Sequence, residues 1–293
     1  MKAMILAAGL GTRLRPYSLA RPKPLFPVMG QPLLWRIIDQ LRTAGFGPII
    51  VNAHHLAEQM VAQLSAQADI ILQCEPIELG TGGGLRMALP HFGDEPVLIT
   101  NGDIYHDIDY GAVYARHAEG GLPISMVMHD YPRFNKVLVT DGLIRAFSPS
   151  SGAGPAPDIS DHGVLAFTGI HVLEPAVLGE IPPDRFYSII DRYQGHLEGG
   201  GRIGAIMVQG HFWQDIGTLE DYLDLHRTLL RESRPAFCLA DGVKVGRDVV
   251  MEGWGYVGAG ATIGDASQLA RVVVWDGAVI PPGAVLRDCL VAA

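Results

Sequence analysis

Through its first hundred residues the chain alternates short apolar runs with amphipathic stretches, and this alternation limits the available folds more than any other feature. Ala3–Ala8 is an apolar run closing on glycines, the pattern of a buried parallel strand. Gln31–Gly45 reads as an amphipathic helix: Pro32 suits its first turn, Leu33, Leu34, Ile37, Ile38 and Leu41 form one stripe, and Gly45 stops it. Pro48–Ala53 is the next strand, Leu56, Met60 and Leu64 mark a second helix, and Asp69–Gln73 is a third strand. The glycine run Gly80–Gly84 opens another helix, and Val97–Thr100 is a strand ending at Asn101-Gly102-Asp103. Repeated β-α units predict a Rossmann-like α/β fold with a mostly parallel sheet covered on both faces.

The middle of the chain is less regular. Ile124–His129, Lys136–Thr140 and Leu143–Phe147 read as strands, the last two joined by the hairpin signal Asp141-Gly142. Ser148–Asp161, rich in Ser, Gly, Pro and Ala, reads as a mobile loop. Leu165–Leu173 and Arg202–Val208 are further strands, and Leu219–Leu230 is a helix.

The last sixty residues change character. Val245, Met251, Val257, Ile263 and Leu269 recur every six residues, and a second series follows at Val273, Val279, Val285 and Val291. Gly246, Gly258 and Gly264 directly follow three members of the first series. A period of six with small residues between is the pattern of a hexapeptide left-handed β-helix. A boundary near Ser233 gives two domains, 1–232 and 233–293.

Charge is distributed unevenly. The formal net charge is −9, which disfavours nucleic acid as a partner, yet residues 1–38 hold Lys2, Arg13, Arg15, Arg21, Lys23 and Arg36 and no acid. A purely cationic segment in an acidic protein suits a small polyanion such as a triphosphate. Three cysteines, Cys74, Cys238 and Cys289, form no CxxC pair, and no apolar run approaches a membrane span of roughly 18 residues, so a cytoplasmic protein is expected.

The chemistry concentrates in Ala8-Gly9-Leu10-Gly11-Thr12-Arg13-Leu14-Arg15-Pro16, followed by Pro22-Lys23-Pro24-Leu25. The segment begins at a strand end, where ligands sit in parallel α/β sheets. Glycines let backbone N–H groups approach phosphate oxygens, Arg13 can grip two of them through its planar fork, and Lys23 adds a compact charge. Leu14 stands where a dinucleotide fingerprint needs glycine, and no Lys precedes Ser or Thr as a Walker loop requires.

Joined in this way, Gly-x-Gly-Thr-Arg-x-Arg-Pro and Lys-Pro-Leu resemble the signature of the nucleotide-sugar pyrophosphorylases (sugar-1-phosphate nucleotidyltransferases). Gly80-Thr81-Gly82-Gly83-Gly84, Asn101-Gly102-Asp103 and Trp213-Gln214-Asp215-Ile216-Gly217-Thr218 follow in the family's order. The likeness covers residues 1–232 and implies the nucleotide-diphospho-sugar transferase fold. The glycine run and Asn-Gly-Asp-x-x-x-Asp-x-Asp look closest to N-acetylmuramate-1-phosphate uridylyltransferases, while the tail is like that of mannose-1-phosphate guanylyltransferases. Heptose-phosphate nucleotidyltransferases are also similar.

The resemblance implies roles. Ala8, Gly9, Gly11, Thr12 and Arg13 would cradle the triphosphate, Lys23 would stabilise charge at the α-phosphate, and Gly82 and Gly83 would approach base and ribose. Thr168 and Gly169 would face the sugar. Asp103 and Asp215 would hold Mg²⁺, although capping or turn roles are the simpler reading of an isolated Asp at either place. A sugar-1-phosphate would attack the α-phosphorus of an NTP, UTP by the muramate likeness, and release pyrophosphate. Tails of this kind often serve as subunit contacts in the family, which makes a homo-oligomer an expected partner. One departure stands out: many relatives carry Glu-Lys-Pro after the hairpin, with the lysine on the sugar phosphate, where this chain has Phe147-Ser148-Pro149-Ser150. Lys136 could substitute, although a solvated strand lysine is the simpler reading. Two rivals remain: a metal-dependent glycosyltransferase built on Asp107-Ile108-Asp109, and a non-catalytic regulatory subunit that keeps the fold.

Overall fold

The computed structural model describes residues 1–147, 163–232 and 236–292. The expected loop Ser148–Asp161, the Ser148-Pro149-Ser150 segment and the expected boundary at Ser233 lie outside the described residues. Chain contacts divide the protein into two compact units that do not follow chain order. The first comprises Met1–Leu10, Ile37–Gly102 and His106–Trp213; the second comprises Gly11–Arg36, Asp103–Tyr105 and Gln214–Ala293.

The first unit is built on a nine-stranded sheet. Its order is Ile70–Cys74, Ile49–Ala53, Lys2–Leu6, Val97–Asn101, Gly163–Leu173, Ile124–His129, Gly204–Met207, Leu143–Phe147 and Val137–Thr140. The first four strands are parallel; the near-continuous apolar sequences of the three inner ones suit strands buried on both faces, while Ile70–Cys74 at the edge is partly exposed. The expectation of a mostly parallel sheet is corrected beyond them, because the sheet is mixed. Gly163–Leu173 arrives from the hairpin side and runs antiparallel to Val97–Asn101, Ile124–His129 and Val137–Thr140. The hairpin itself matches its signal, with Asp141 and Gly142 at φ 51° and 69°, the backbone a primed turn needs.

Helices Gly80–Phe92 and Ile189–Glu198 contribute Leu85, Ala88, Ile189 and Tyr193 to the core around Met4, Ile50, Ile99 and Met126. Helix Tyr110–Gly120 begins at Asp109, whose carboxylate accepts from Ala112 N–H, and ends at Gly121 in the left-handed region. Helix Leu33–Thr43 carries the expected stripe, with Leu33, Leu34, Ile37, Ile38 and Leu41 all buried.

In the second unit the C-terminal residues form parallel strands stacked in coils, consistent with the period of six. Val250 pairs with Gln268 and Gln268 with Val285, so one coil advances 18 residues and the next 17. Left-handed corners stack with the same spacing: Gly242, Gly260 and Gly277; Asp248, Ala266 and Gly283; Gly253, Arg271 and Asp288. A Cβ on Gly246 would come 2.6 Å from the Asp265 amide of the next coil, so close stacking requires glycine there.

The first series points inward at Val257, Ile263 and Leu269, with Met251 packed on that core, but Val245 is 47% exposed. The second is displaced by one residue as far as Leu286, and Val291 packs on the core again. Val274 and Ile280 are in the core with Leu286 packed on it, whereas Val279 and Val285 are 69% and 60% exposed. The short coil loses its residue around the Arg271 corner, so the inward series steps from Leu269 to Val274.

Candidate active site

Within the second unit, the segment after Gly11 folds back on itself. Gly11 has φ +60°, and a Cβ there would lie 3.2 Å from Cβ of Ser18 and 3.5 Å from Cβ of Lys23. Thr12–Leu14 is a single 3₁₀ turn that leaves Thr12 and Arg13 exposed. Lys23–Leu25 is a second 3₁₀ turn, closed by Phe26 N–H donating to the Lys23 carbonyl at 3.0 Å. Lys23 is buried, and its ammonium donates to Asp103 Oδ2 at 2.6 Å and Asp215 Oδ1 at 3.3 Å. Ile216 N–H donates to the Asp103 carbonyl, which ties the two acid-bearing segments together.

Arg13 closes the cluster. A Cβ on Gly217 would sit 2.5 Å from Asp215 Oδ2 and 3.0 Å from both Arg13 terminal nitrogens, so only glycine leaves room for the guanidinium and carboxylate. Burial pushes the Asp215 carboxyl above its usual range; Lys23 pulls it down, the Asp103 charge pushes it up again, and Arg13 lowers it. Neither carboxylate is spent on a helix cap: helix Leu219–Glu232 is capped by Thr218, whose hydroxyl accepts from Asp221 N–H. A buried lysine is stable only when paired, and here it holds two acid groups beside an exposed arginine. Such a donor set suits a divalent cation that takes its other ligands from phosphate oxygens and water. Among the described residues no group of three or more metal-binding side chains is gathered.

The other expected residues lie in the first unit. Ala8 and Gly9 follow strand Lys2–Leu6 with no regular structure, and a Cβ on Gly9 would meet nothing within 4 Å. Gly82 and Gly83 are buried in the first turns of helix Gly80–Phe92, and both amides donate to the Tyr187 carbonyl, at 2.8 and 3.1 Å. A Cβ on Gly83 would come 2.7 Å from the Arg185 carbonyl, so packing alone requires this glycine. Thr168 is buried; its hydroxyl donates to the Val127 carbonyl and its own carbonyl accepts from Trp213 Nε1 at 2.9 Å. Gly169 has φ 84° at an irregularity between Phe167 and His171, a bulge that only glycine fits easily. Lys136 is exposed.

Sequence reasoning missed Asn52 and Glu75. Asn52 accepts from Ala7 N–H at 2.7 Å and donates to Glu75 Oε1 at 2.7 Å, beneath Gly84, where a Cβ would lie 2.6 Å from that oxygen. Burial raises the Glu75 carboxyl, against Asn52 and the Leu79 backbone, and among the described residues Oε2 has no hydrogen-bond partner of good geometry. The only signal for it was a Glu-Pro just before the glycine run. Asp107 and Asp109 serve the backbone: Asp107 accepts from Phe212 N–H at 2.7 Å and Asp109 caps its helix. The Asp-x-Asp of the glycosyltransferase reading is thus occupied.

The cluster is a charged donor set of the kind that suits phosphate groups, carried on an α/β fold. The chain belongs to the nucleotidyl transferase family, whose model matches residues 2–136. It is 32% identical over 226 residues to the N-acetylmuramate alpha-1-phosphate uridylyltransferase of Neisseria meningitidis serogroup B, covering 75% of this chain and 94% of that one. It is 28% identical over 312 residues to the mannose-1-phosphate guanylyltransferase of Mycobacterium tuberculosis, covering 97% and 82%. The fold is shared with HddC from Yersinia pseudotuberculosis, at a TM-score of 0.62 and 22% identity over 78% of this chain and 99% of that one. No helix among the described residues is long and apolar enough to cross a membrane.

Proposed function

We propose that the protein transfers a nucleoside monophosphate from an NTP to a sugar-1-phosphate and releases pyrophosphate. The observation that carries this reading is Lys23 held between Asp103 and Asp215, with Arg13 against Gly217. Arg13 and the Gly11–Thr12 backbone bind the triphosphate. Lys23 faces the α-phosphoryl group and offsets charge as it develops there. The family likeness assigns Ala8, Gly9, Gly82 and Gly83 to the nucleotide and Thr168 and Gly169 to the sugar. Asp103 and Asp215 would hold Mg²⁺, which would supply charge neutralisation on the phosphate oxygens. The sugar phosphate is already an anion at neutral pH, so positioning and electrostatics suffice and no general base is needed.

UTP is the favoured donor. The uridylyltransferase relative covers 75% of this chain, and the Glu75 carboxyl, buried beside the glycine run, carries an acceptor that suits a base with a ring N–H. Uracil and guanine carry such a donor, and cytosine and adenine do not. GTP is the second donor, from the guanylyltransferase relative. Residues 1–232 are the catalytic domain and 233–293 a left-handed β-helix that also serves contact between subunits, in a cytoplasmic protein. Pyrophosphate release from UTP, GTP, CTP, ATP and dTTP against a panel of sugar-1-phosphates tests the reading. Release that needs one donor, one sugar phosphate and the metal supports it. Tight nucleotide binding with no release from any pair would move the reading to the regulatory subunit.

A further inference from the structure

One indole joins the C-terminal coil to the segment that carries the cations. Trp275 lies in a coil, its N–H donating to the Val291 carbonyl and its side chain buried. Its ring meets Phe26 edge-on at 4.9 Å and Tyr17 at 6.2 Å, and the Arg21 guanidinium sits over it at 4.4 Å. Its Nε1–H donates to the Tyr222 hydroxyl at 3.0 Å, which in turn donates to the Pro27 carbonyl. Two further ties run the same way: Tyr17 donates to the Leu290 carbonyl at 3.0 Å, and Met29 N–H donates to His226 Nε2 at 3.3 Å.

These contacts bracket Lys23. Arg21 precedes it by two residues, and Phe26 follows it by three and closes its turn through the amide bonded to the Lys23 carbonyl. Tyr17 neighbours Ser18, the residue against which Gly11 folds. The backbone that sets where the ammonium stands is therefore fixed by the coil as much as by its own turn. A coil whose only task was to stack on itself would not need a buried Trp turned onto this segment.

We infer that Trp275 is a positioning residue for the transfer reaction: through Phe26, Tyr17 and Arg21 it holds the Lys23 turn against Asp103 and Asp215. The inference rests on the nucleotidyl-transfer reading for its kinetic consequence but not for its structural one. A shift of about 1 Å at a reacting group can cost about a hundredfold in rate. Trp275→Leu therefore lowers kcat by about 10- to 100-fold, while KM for the sugar phosphate changes by less than about threefold. Trp275→Phe keeps the ring contacts, loses the Nε1 donor and returns most of the rate.

The test uses the full chain with Ile280→Ala as a control that destabilises the same coil, since Ile280 is buried in a core cluster made only of coil residues. Both variants are assayed below their melting temperatures, and amide exchange is followed over residues 11–30. Faster exchange there in Trp275→Leu but not in Ile280→Ala, with kcat lost only in the former, is the expected result. Equal exchange and equal kcat in the two variants overturn the inference. A wild-type enzyme without turnover would sink the nucleotidyl-transfer reading, and exchange over residues 11–30 would then decide the positioning on its own.

Discussion

Gly217→Ala adds one methyl group at the most crowded point of the cluster. Its Cβ would lie 2.5 Å from Asp215 Oδ2 and 3.0 Å from both terminal nitrogens of Arg13. Carbon and oxygen settle no closer than about 3.3 Å, so the carboxylate must retreat by roughly 0.8 Å and the guanidinium by a few tenths. The backbone at 217 is not in the left-handed region, so alanine is acceptable there and crowding is the only perturbation. Overpacking of this size costs about 1–3 kcal/mol in a rigid core, and less here because Arg13 is exposed and can swing outward. The functional cost is larger, because both displaced groups are assigned to the reacting phosphates: about a hundredfold in kcat/KM for the NTP. Pyrophosphate release at saturating sugar phosphate measures it, with melting temperature alongside. An alanine variant within threefold of wild type would refute the assignment of Arg13 and Asp215 to the reaction.

Three further outcomes follow from the same geometry. Glu75→Gln exchanges a buried acceptor for a group that both accepts and donates, so preference for UTP or GTP over CTP falls by about tenfold, read from kcat/KM ratios. Asp109→Ala removes a helix cap and costs about 1 kcal/mol in urea unfolding with kcat unchanged; loss of activity would revive the Asp-x-Asp reading. His171 is buried with neither ring nitrogen bonded among the described residues, and burial lowers its pKa to about 3. Its stabilising contribution as a neutral ring is complete above the unfolded value near 6.5 and is lost as pH falls towards 3. His171→Phe therefore melts higher than wild type by a margin that widens between pH 7.5 and pH 5, and a constant margin would contradict this.

What the sequence made legible was local. The stripe of Leu33–Leu41, the Asp141-Gly142 turn and the chain of apolar strands are patterns of period 3.6, two residues and alternation, and each needs only its own neighbours. Helices Tyr110–Gly120 and Ile189–Glu198 were not read, since Gly111, Gly120 and Gly195 dilute their periodicity and their caps, Asp109 and Ser188, are single residues. The antiparallel insertion of Gly163–Leu173 depends on strand partners distant in sequence, which no window reveals. The period of six was legible, but its second series slipped because the Arg271 corner shortens one coil by a residue. At the site, Arg13, Lys23, Asp103 and Asp215 were named from motif order, and the structure brings all four together. Gly82 and Gly83, which the family likeness places near base and ribose, have a separate reason in the close approach of Arg185–Ile189. Glu75 and Trp275 act through partners far along the chain, so their types alone carried no signal.

The most direct test is pyrophosphate release by wild type, Lys23→Gln and Asp103→Asn with UTP, a sugar-1-phosphate and graded Mg²⁺. The account predicts a metal-dependent wild-type rate that falls by at least about a hundredfold in each variant while both still melt cooperatively. Turnover that survives in Lys23→Gln, or a wild-type rate indifferent to the metal, would contradict it.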